Sequence, residues 1–377
     1  MADYNNLISP TSNTLLEAAL RDKLLRRSQT TGELGELQPL AVRLGLIQNT
    51  LKPKFTAPQI IVFAADHGIA VDGVGASDRH STNQLVRSLL TFQLPLSVFA
   101  RIQGLELSVV DAGVAEPVLP HPRLLARKIA HGTRNSRVSA AMSLEQAHAA
   151  IRAGMEIGDS LPGNAVVCAG VGVGSAQSAA LVLSRLANVP VRELVASGPE
   201  LNATELAKTM VVLEGSQGRH KDVSDPVEIL AAFGGFEIAM MVGVMMVAAG
   251  KRQLILVDGL AACAALAVSS HIAPTVLDYC VFCRSSGHLG LDRALAIFQA
   301  SALLEISMNS TDGTGATLTW PLVRSAAALL TEVAEGEEAG PTLPGQLPGQ
   351  VSAPAPGQNS EDSVSGSQYG AHDGSQY

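Results

Sequence analysis

The stretch AVVCAGVGVGSAQS, residues 165–178, decides the fold of this chain. Its first four residues form a short apolar run, which is typical of a buried strand. The glycines that follow suit a tight turn, and small residues continue beyond it as in a closely packed helix. The stretch therefore predicts a strand, a glycine-rich turn and a helix.

The same arrangement recurs on both sides of this stretch. Further short apolar strands are predicted at 60–64, 107–110 and 254–257, and they lead into Asp66, Asp111 and Asp258. Helical spacing of apolar residues is found at 13–50, where Thr30-Thr31-Gly32 separates two helices, at 82–102, and at 143–158. Short apolar strands that alternate with helices predict an α/β fold, with a mainly parallel, Rossmann-like sheet covered by helices.

The predicted sheet also indicates where a ligand would bind. In open α/β sheets, ligands bind at the carboxyl ends of the strands. Asp66, Asp111, the turn at Gly170 and Asp258 all come at or just after predicted strand ends. We therefore expect them at one edge of the sheet.

Composition excludes several classes of protein. The 377 residues carry a net charge of −8, so the chain lacks the basic surface that nucleic-acid binding requires. The four cysteines do not suit a disulfide framework, which favours a reducing, cytoplasmic compartment. Cys280 and Cys283 form a single CxxC without a second ligand pair, so we interpret them as small residues of an apolar strand. We predict neither a metal nor a cofactor.

The two ends of the chain and one apolar segment need separate interpretation. The N-terminus has no basic segment followed by an apolar core, as a secretory signal would have. Residues 238–249 are very apolar but short for a membrane span, and a buried helix is predicted there instead. Residues 336–377 are rich in Gly, Pro, Ser and Gln without an apolar period, which predicts a disordered tail.

The glycine-rich turn leaves two interpretations open. Gly170, Gly172, Gly174 and Ser175 could expose amides at a helix start to a phosphate, or could simply allow tight packing. The glycines match neither a Walker sequence nor a dinucleotide fingerprint, which argues against a dehydrogenase. Lys208 could neutralise a phosphate, or could lie on a solvated helix face.

Two acidic residues follow or precede glycines in ways that also allow two roles. Asp312 begins the run DGTGA, which ends at residue 316, and it could act as a general base or as a helix N-cap. Glu237 follows Gly234-Gly235, which separate two apolar helices. It could be a cap or a site carboxylate, and a structural role is the default interpretation.

Several segments, taken in order, resemble one family. They are AVRLGLIQNTLKPK at 41–54, FAADHGI at 63–69, VVDAGV at 109–114, HGTRN at 131–135, DPVEILAAFGGFE at 225–237, LVDGL at 256–260 and DGTGATLTWP at 312–321. Together they resemble the nicotinate-nucleotide:dimethylbenzimidazole phosphoribosyltransferases, over roughly residues 13 to 334.

The resemblance implies a specific activity. Members of the family transfer phosphoribosyl from nicotinate mononucleotide to 5,6-dimethylbenzimidazole or a related base, giving α-ribazole 5′-phosphate and nicotinate for cobalamin assembly. They use no metal and are homodimers. The residues that the resemblance places in the site are the catalytic Asp312 and the substrate-binding Ser77, Gln84, Gly170, Gly172, Gly174, Ser175, Lys208, Asp258, Ser285, Gly313 and Gly315.

The family's fold implies a division of the chain. A small helical domain would combine residues 1–55 with 301–335, residues 56–300 would form the large α/β domain, and 336–377 would be the tail. The substrates would be the nucleotide and the benzimidazole base, with no nucleic acid and no membrane.

This chain departs from the family pattern in three segments. The family's catalytic Glu is Asp312 here, and its loop Glu and Asn are Gly170 and Ser175. The family's first glycine-rich turn, PPGSLG in typical members, is TTGELG at 30–35. The departures leave an alternative function open. The chain could be a non-catalytic paralogue that acts as partner subunit of an active homologue, in a heteromer that uses phenolic acceptors.

Overall fold

A sheet of six parallel strands organises the protein. The computed structural model describes residues 8–74, 80–195, 203–285, 289–306, 308 and 310–333. The strands of this sheet are β1 (Gln59–Ala65), β2 (Glu106–Gly113), β3 (Leu124–Ala126), β4 (Ala165–Val171), β5 (Leu254–Val257) and β6 (Cys280–Phe282). Their order across the sheet is β3-β2-β1-β4-β5-β6. A second sheet pairs two short parallel strands, β7 (Arg284–Ser285) and β8 (Leu304–Glu305).

Helices occupy most of the remaining described chain. They are α1 (Thr14–Thr31), α2 (Leu37–Ile47), α3 (Thr82–Leu90), α4 (Pro95–Ile102), α5 (Leu144–Ser160), α6 (Ser175–Ala187), α7 (Val191–Val195), α8 (Ala203–Arg219), α9 (Pro226–Phe233), α10 (Phe236–Gly250), α11 (Leu260–Ile272), α12 (Leu289–Ile297) and α13 (Thr314–Thr331). Two 3-10 helices, Gly68–Asp72 and Pro274–Tyr279, complete the set.

The two central strands are buried along their whole length. Every residue of β1 and of β4 is buried, and the two strands pair in register from Gln59 opposite Val166. Parallel strands that are covered on both faces take this continuous apolar form, because each face must be shielded from water. The α/β fold with a parallel sheet, predicted from the sequence, is confirmed.

The apolar segment at 238–249 lies within α10, which packs against β1, β2, β4 and β5. A second helix, α5, covers it closely. A Cβ built on Gly154 of α5 would lie 2.0 Å from the Met240 carbonyl oxygen of α10. Glycine is therefore required at 154, and the predicted buried helix is confirmed.

The first and last described helices meet. Helix α13 packs on α2 and contacts α1, and the ring of Trp320 in α13 meets Phe55 edge-on at 5.0 Å. This packing agrees with a helical group drawn from both ends of the chain. By their contacts, however, the described residues belong to one compact unit, so the division into two domains remains a proposal.

The predicted helix at 82–102 is wrong in one respect, because the structure breaks it into α3 and α4. Pro95 stands at the start of α4, and Leu94 before it is extended, with φ −104° and ψ 146°. Proline disfavours helical backbone in the residue that precedes it, which explains the break. By length and hydropathy alone, Thr82–Ile102 could cross a membrane. The two helices instead pack on β2, as expected of core helices.

Strands β2 and β4 are longer than predicted. Asp111 and Gly170 lie inside them rather than after them, because β2 continues to Gly113 and β4 to Val171. Asp66 and Asp258 do follow their strands directly. Ser143 caps α5 through a capping box with Gln146, as its sequence predicted.

The four cysteines are buried and none of them forms a disulfide, and we expect them to be unreactive in the folded protein. Burial raises the pKa of Cys280 to about 12 and also raises the pKa of Cys168, so the reactive thiolate is scarce at pH 8. Ellman's reagent should label no thiol in the native protein and all four after denaturation. Rapid labelling of the native protein would contradict this prediction.

The same burial predicts how stability depends on alkaline pH. The Cys280 thiol keeps its proton in the folded state at pH values where it ionises in the unfolded chain. The stability associated with the neutral Cys280 thiol is fully present below the usual thiol pKa of 9.0. It is lost as the pH rises toward the pKa of about 12 in the folded state. The free energy of unfolding should therefore fall over that range.

Candidate active site

The strand order places a topological switch point between β1 and β4. The chain passes from β1 to β2 on one side and later to β4 on the other, so the connections diverge at this point of the sheet. Crevices at such a switch point, outside the carboxyl ends of the strands, are where α/β proteins bind ligands. Two polar turns lie there, one at 66–68 after β1 and one at 172–175 after β4.

The turn after β1 is held by Asp66. Its carboxylate accepts one hydrogen bond from the Thr82 hydroxyl and another from the Ala115 amide at 2.7 Å. The Thr82 hydroxyl oxygen also accepts from the Val173 amide at 3.1 Å, which ties this turn to the one after β4. Asp66 thus connects β1, β2 and β4 at the edge of the sheet.

The glycine-rich turn after β4 supports both interpretations that its sequence left open. A Cβ on Gly172 would lie 1.8 Å from the Ala65 carbonyl oxygen, so close packing on β1 explains that glycine. Gly174 has φ +85° and forms the N-cap of α6, which begins at Ser175. The amides of Val173 and Ser175 already donate, to Thr82 Oγ1 and to the Gly172 carbonyl. A phosphate at this helix start would therefore use the other amides.

A buried polar cluster joins the two turns. The His67 Nε2 atom lies 2.8 Å from Glu237 Oε1, and both side chains are fully shielded from solvent. The Ser175 hydroxyl donates to the same carboxylate oxygen at 2.9 Å. We call His67, Glu237 and Ser175 the switch-point cluster. It brings together residues from the turn after β1, from α10 and from α6 that are far apart in sequence.

Two atoms of the switch-point cluster have no hydrogen-bond partner among the residues that the structure describes. They are His67 Nδ1 and Glu237 Oε2, and both are buried. A buried polar atom without a partner costs about 1–3 kcal/mol, and nearly all such atoms in native proteins are satisfied. His67 and Glu237 therefore each have one buried polar atom that no described residue satisfies.

Asp258 organises the start of α13. Its carboxylate oxygen Oδ2 accepts from the amides of Gly315 at 2.7 Å and Ala316 at 3.3 Å. The N-cap position of α13 is Gly313, with φ +88°, and not Asp312. The carboxylate that accepts hydrogen bonds from the first-turn amides of α13 therefore belongs to Asp258, which follows β5 and is distant from α13 in the sequence.

Asp312 lies directly against the turn after β5. A Cβ built on Gly259 would be 2.0 Å from the Asp312 Cγ atom, so the carboxylate rests where that Cβ would be. Gly259 also has φ +102°, a conformation that side chains rarely allow. Asp312 itself is only partly buried, so its carboxylate has access to a ligand.

The two acidic groups approach the sheet from opposite faces. Successive strand residues point to opposite faces. A Cβ on Gly313 would lie 2.9 Å from the Ala169 Cβ, whereas a Cβ on Gly170 would lie 3.6 Å from Glu237 Cγ. Asp312 and Glu237 therefore flank the carboxyl end of β4, and the space beside Gly170 is filled first by Ala261 and Met241 and then by Glu237.

The remaining predicted residues lie elsewhere or outside the described chain. Gln84 is exposed on α3, where its side chain completes a capping box with Ser81. Lys208 is exposed on α8, which contacts α6 and α7. Ser285 belongs to β7, opposite Glu305 of β8. Ser77 falls outside the described residues.

Sequence analysis did not place His67, Thr82 and Glu237 among the site residues. His67 carried a usable signal, because it directly follows a predicted central strand. Glu237 carried another, since it is the single acidic residue in a long apolar segment. Nothing local indicated that these two side chains meet, because 170 residues separate them along the chain. Among the described residues, no group of three or more His, Cys, Asp or Glu is arranged to hold a metal ion.

The fold defines a class of protein: a Rossmann-like α/β protein whose parallel sheet has its switch point between β1 and β4. The family model for phosphoribosyltransferases matches residues 8–340, and the chain belongs to this family.

Named relatives and a solved structure agree with the family assignment. The chain is 43% identical over 329 residues to the nicotinate-nucleotide–dimethylbenzimidazole phosphoribosyltransferase of Cupriavidus taiwanensis, which covers 86% of this chain and 94% of the relative. It is 42% identical to the enzyme of the same name from Cupriavidus necator, over 88% of this chain and 97% of the relative. A crystal structure of the Thermus thermophilus enzyme of that name superposes with a TM-score of 0.81, at 27% identity, over 87% of this chain and 98% of the other.

Proposed function

We propose that this chain transfers the phosphoribosyl group of nicotinate mononucleotide to 5,6-dimethylbenzimidazole, which yields α-ribazole 5′-phosphate and nicotinate for cobalamin assembly. The observation that carries the proposal is the 43% identity to an enzyme of this name over 94% of that enzyme's length. The crevice at the switch point, with a carboxylate on each side of β4, suits a reaction that needs positioning and one proton acceptor. The comparisons give no support to the alternative of a partner subunit for phenolic acceptors.

Asp312 is the general base of the proposed reaction. A ring nitrogen of the benzimidazole attacks C1′ of the ribose, and the bond from C1′ to the nicotinate nitrogen breaks. The attacking ring then carries an N–H proton that must leave, and a carboxylate within hydrogen-bond reach can accept it. The partly buried position of Asp312 at the start of α13 supports this role.

The nucleotide phosphate binds at the start of α6. Backbone amides at a helix N-terminus favour an anion, and the partial positive charge of the helix end adds to the attraction. The residues proposed here are the segment 172–176 and Lys208. The left-handed Gly174 at the N-cap supports the assignment, because it directs the chain into the helix at this edge of the sheet.

The other predicted residues keep their proposed roles. Ser77 and Gln84 lie on the benzimidazole side, and Gly170, Asp258, Ser285, Gly313 and Gly315 line or support the substrates. We also propose a cytoplasmic homodimer, with a small helical domain from residues 1–55 and 301–335, a large domain at 56–300 and a disordered tail at 336–377. The tail lies outside the described residues.

The proposal is tested by incubating the purified protein with nicotinate mononucleotide and 5,6-dimethylbenzimidazole. We expect nicotinate and α-ribazole 5′-phosphate in equal amounts, measured by chromatography and mass spectrometry. Omission of the base is the control, since nicotinate released without an acceptor would indicate hydrolysis. A panel of other benzimidazoles and phenols then defines the acceptor. Failure to transfer phosphoribosyl to any of them would refute the proposal.

A further inference from the structure

The switch-point cluster has a defined hydrogen-bonding character. Glu237 Oε1 accepts from the Ser175 hydroxyl and from His67 Nε2, which must then carry the ring proton. In the neutral imidazole, which carries its one proton on Nε2, Nδ1 presents a lone pair. The two unpartnered atoms, His67 Nδ1 and Glu237 Oε2, are therefore both acceptors. A pair of acceptors selects a group with hydrogen-bond donors and rejects a phosphate or a carboxylate.

Two glycines pack closely against the side chains that carry these acceptors. A Cβ on Gly235 would lie 2.2 Å from Glu237 Oε2 and 2.3 Å from His67 Cε1. Gly174, on the other side, leaves 3.0 Å between its built Cβ and the His67 Cβ. Only glycine fits at 235, because the Glu237 carboxylate and the His67 ring already occupy the position that a Cβ would take. The cluster also adjoins the start of α6, since Ser175 is the first residue of that helix.

We infer that His67 and Glu237 bind the ribose hydroxyls of the phosphoribosyl donor, as a site distinct from the phosphate and base sites. The inference rests on the proposed function. A nucleotide whose phosphate lies at the start of α6 carries its ribose one carbon away from the phosphate ester, next to the cluster. The ribose offers two donors, its 2′ and 3′ hydroxyls, and the cluster offers two acceptors, His67 Nδ1 and Glu237 Oε2. The Ser175 hydroxyl positions the Glu237 carboxylate by donating a hydrogen bond to Oε1.

The test compares how strongly each variant distinguishes ribose from deoxyribose. Dissociation constants are measured by calorimetry, without acceptor base, for nicotinate mononucleotide and for its 2′-deoxy and 3′-deoxy analogues. Glu237→Gln replaces the free acceptor with an amide, and Glu228→Gln is the matched control on the exposed face of α9. We expect the wild type and the control to bind at least one deoxy analogue about tenfold more weakly than the ribonucleotide.

In the Glu237→Gln variant, we expect that preference for the ribonucleotide to disappear. A purely structural role would weaken all three nucleotides equally, so an unchanged preference overturns the inference. So does a wild type that binds the three alike. Glu237→Asp, which keeps the charge but withdraws the carboxylate, should also lose the preference, and it serves if the Gln variant does not fold. Because binding is measured without turnover, a wild type that prefers the ribonucleotide but transfers nothing would refute the proposed function and leave this inference standing.

Discussion

Replacement of Asp312 with Asn should lower turnover by at least about 100-fold, while nicotinate mononucleotide still binds as in the wild type. Asparagine keeps the shape of the side chain but cannot accept the benzimidazole proton. The carboxylate touches the turn after β5 and is partly exposed, so the substitution removes a proton acceptor without emptying the core. Steady-state kinetics for kcat and calorimetry for nucleotide binding separate the two effects.

Two further variants sharpen this prediction. Asp222→Asn makes the same change on an exposed loop and should leave kcat unchanged. Asp312→Glu retains the carboxylate and extends it by one methylene, roughly 1 Å, so its turnover should stay well above that of the Asn variant. An Asn variant as active as the wild type would remove Asp312 from the reaction.

Addition of a single methyl group at Gly259 should have an effect of similar size. The new Cβ in Gly259→Ala would lie 2.0 to 2.3 Å from the three carboxyl atoms of Asp312, so that side chain must move. A displacement of about 1 Å in a catalytic group can cost on the order of 100-fold in rate. The backbone at φ +102° adds strain of roughly 1–2 kcal/mol to the folded state.

Gly104→Ala is the matched control for this experiment. Gly104 has φ +71°, but a Cβ there would meet nothing within 4 Å. It should therefore lose stability in thermal unfolding and keep its kcat. Assays run well below both unfolding temperatures then isolate the displacement of Asp312. Equal turnover in the two alanine variants would show that Asp312 does not need its present position.

Local patterns were enough to predict most of the fold. The run at 165–168 lies within β4, the apolar segment at 238–249 lies within α10, and Ser143 with Gln146 caps α5. Each of these depends on a few neighbouring residues, through side-chain periodicity or a hydrogen bond within one turn. The errors also have local causes that the pattern did not weigh, as at Pro95, which holds Leu94 extended and starts a new helix.

Roles that depend on distant partners were harder to assign. By its sequence, Asp312 could be a helix cap or a general base. In the structure the first-turn amides of α13 donate to Asp258 instead, which is 57 residues from Gly315 along the chain. Glu237 was interpreted as structural, because only the tertiary structure shows it against His67 and Ser175. Two roles remain predictions: Asp312 as the general base, and Lys208 as a residue that binds the nucleotide phosphate.

The sequence by itself determined the elements, the parallel sheet and the family, because each of these is recorded in short-range patterns or in the order of motifs. Only the tertiary structure decided which side chains share the crevice between β1 and β4. The strand order β3-β2-β1-β4-β5-β6 places the turns after β1 and β4 side by side. Long-range packing then brings α10 and α13 to opposite faces of β4, and no local spacing encodes that meeting. Chemistry at this site is a property of the packed sheet, since a carboxylate acquires a partner only when the chain closes around it.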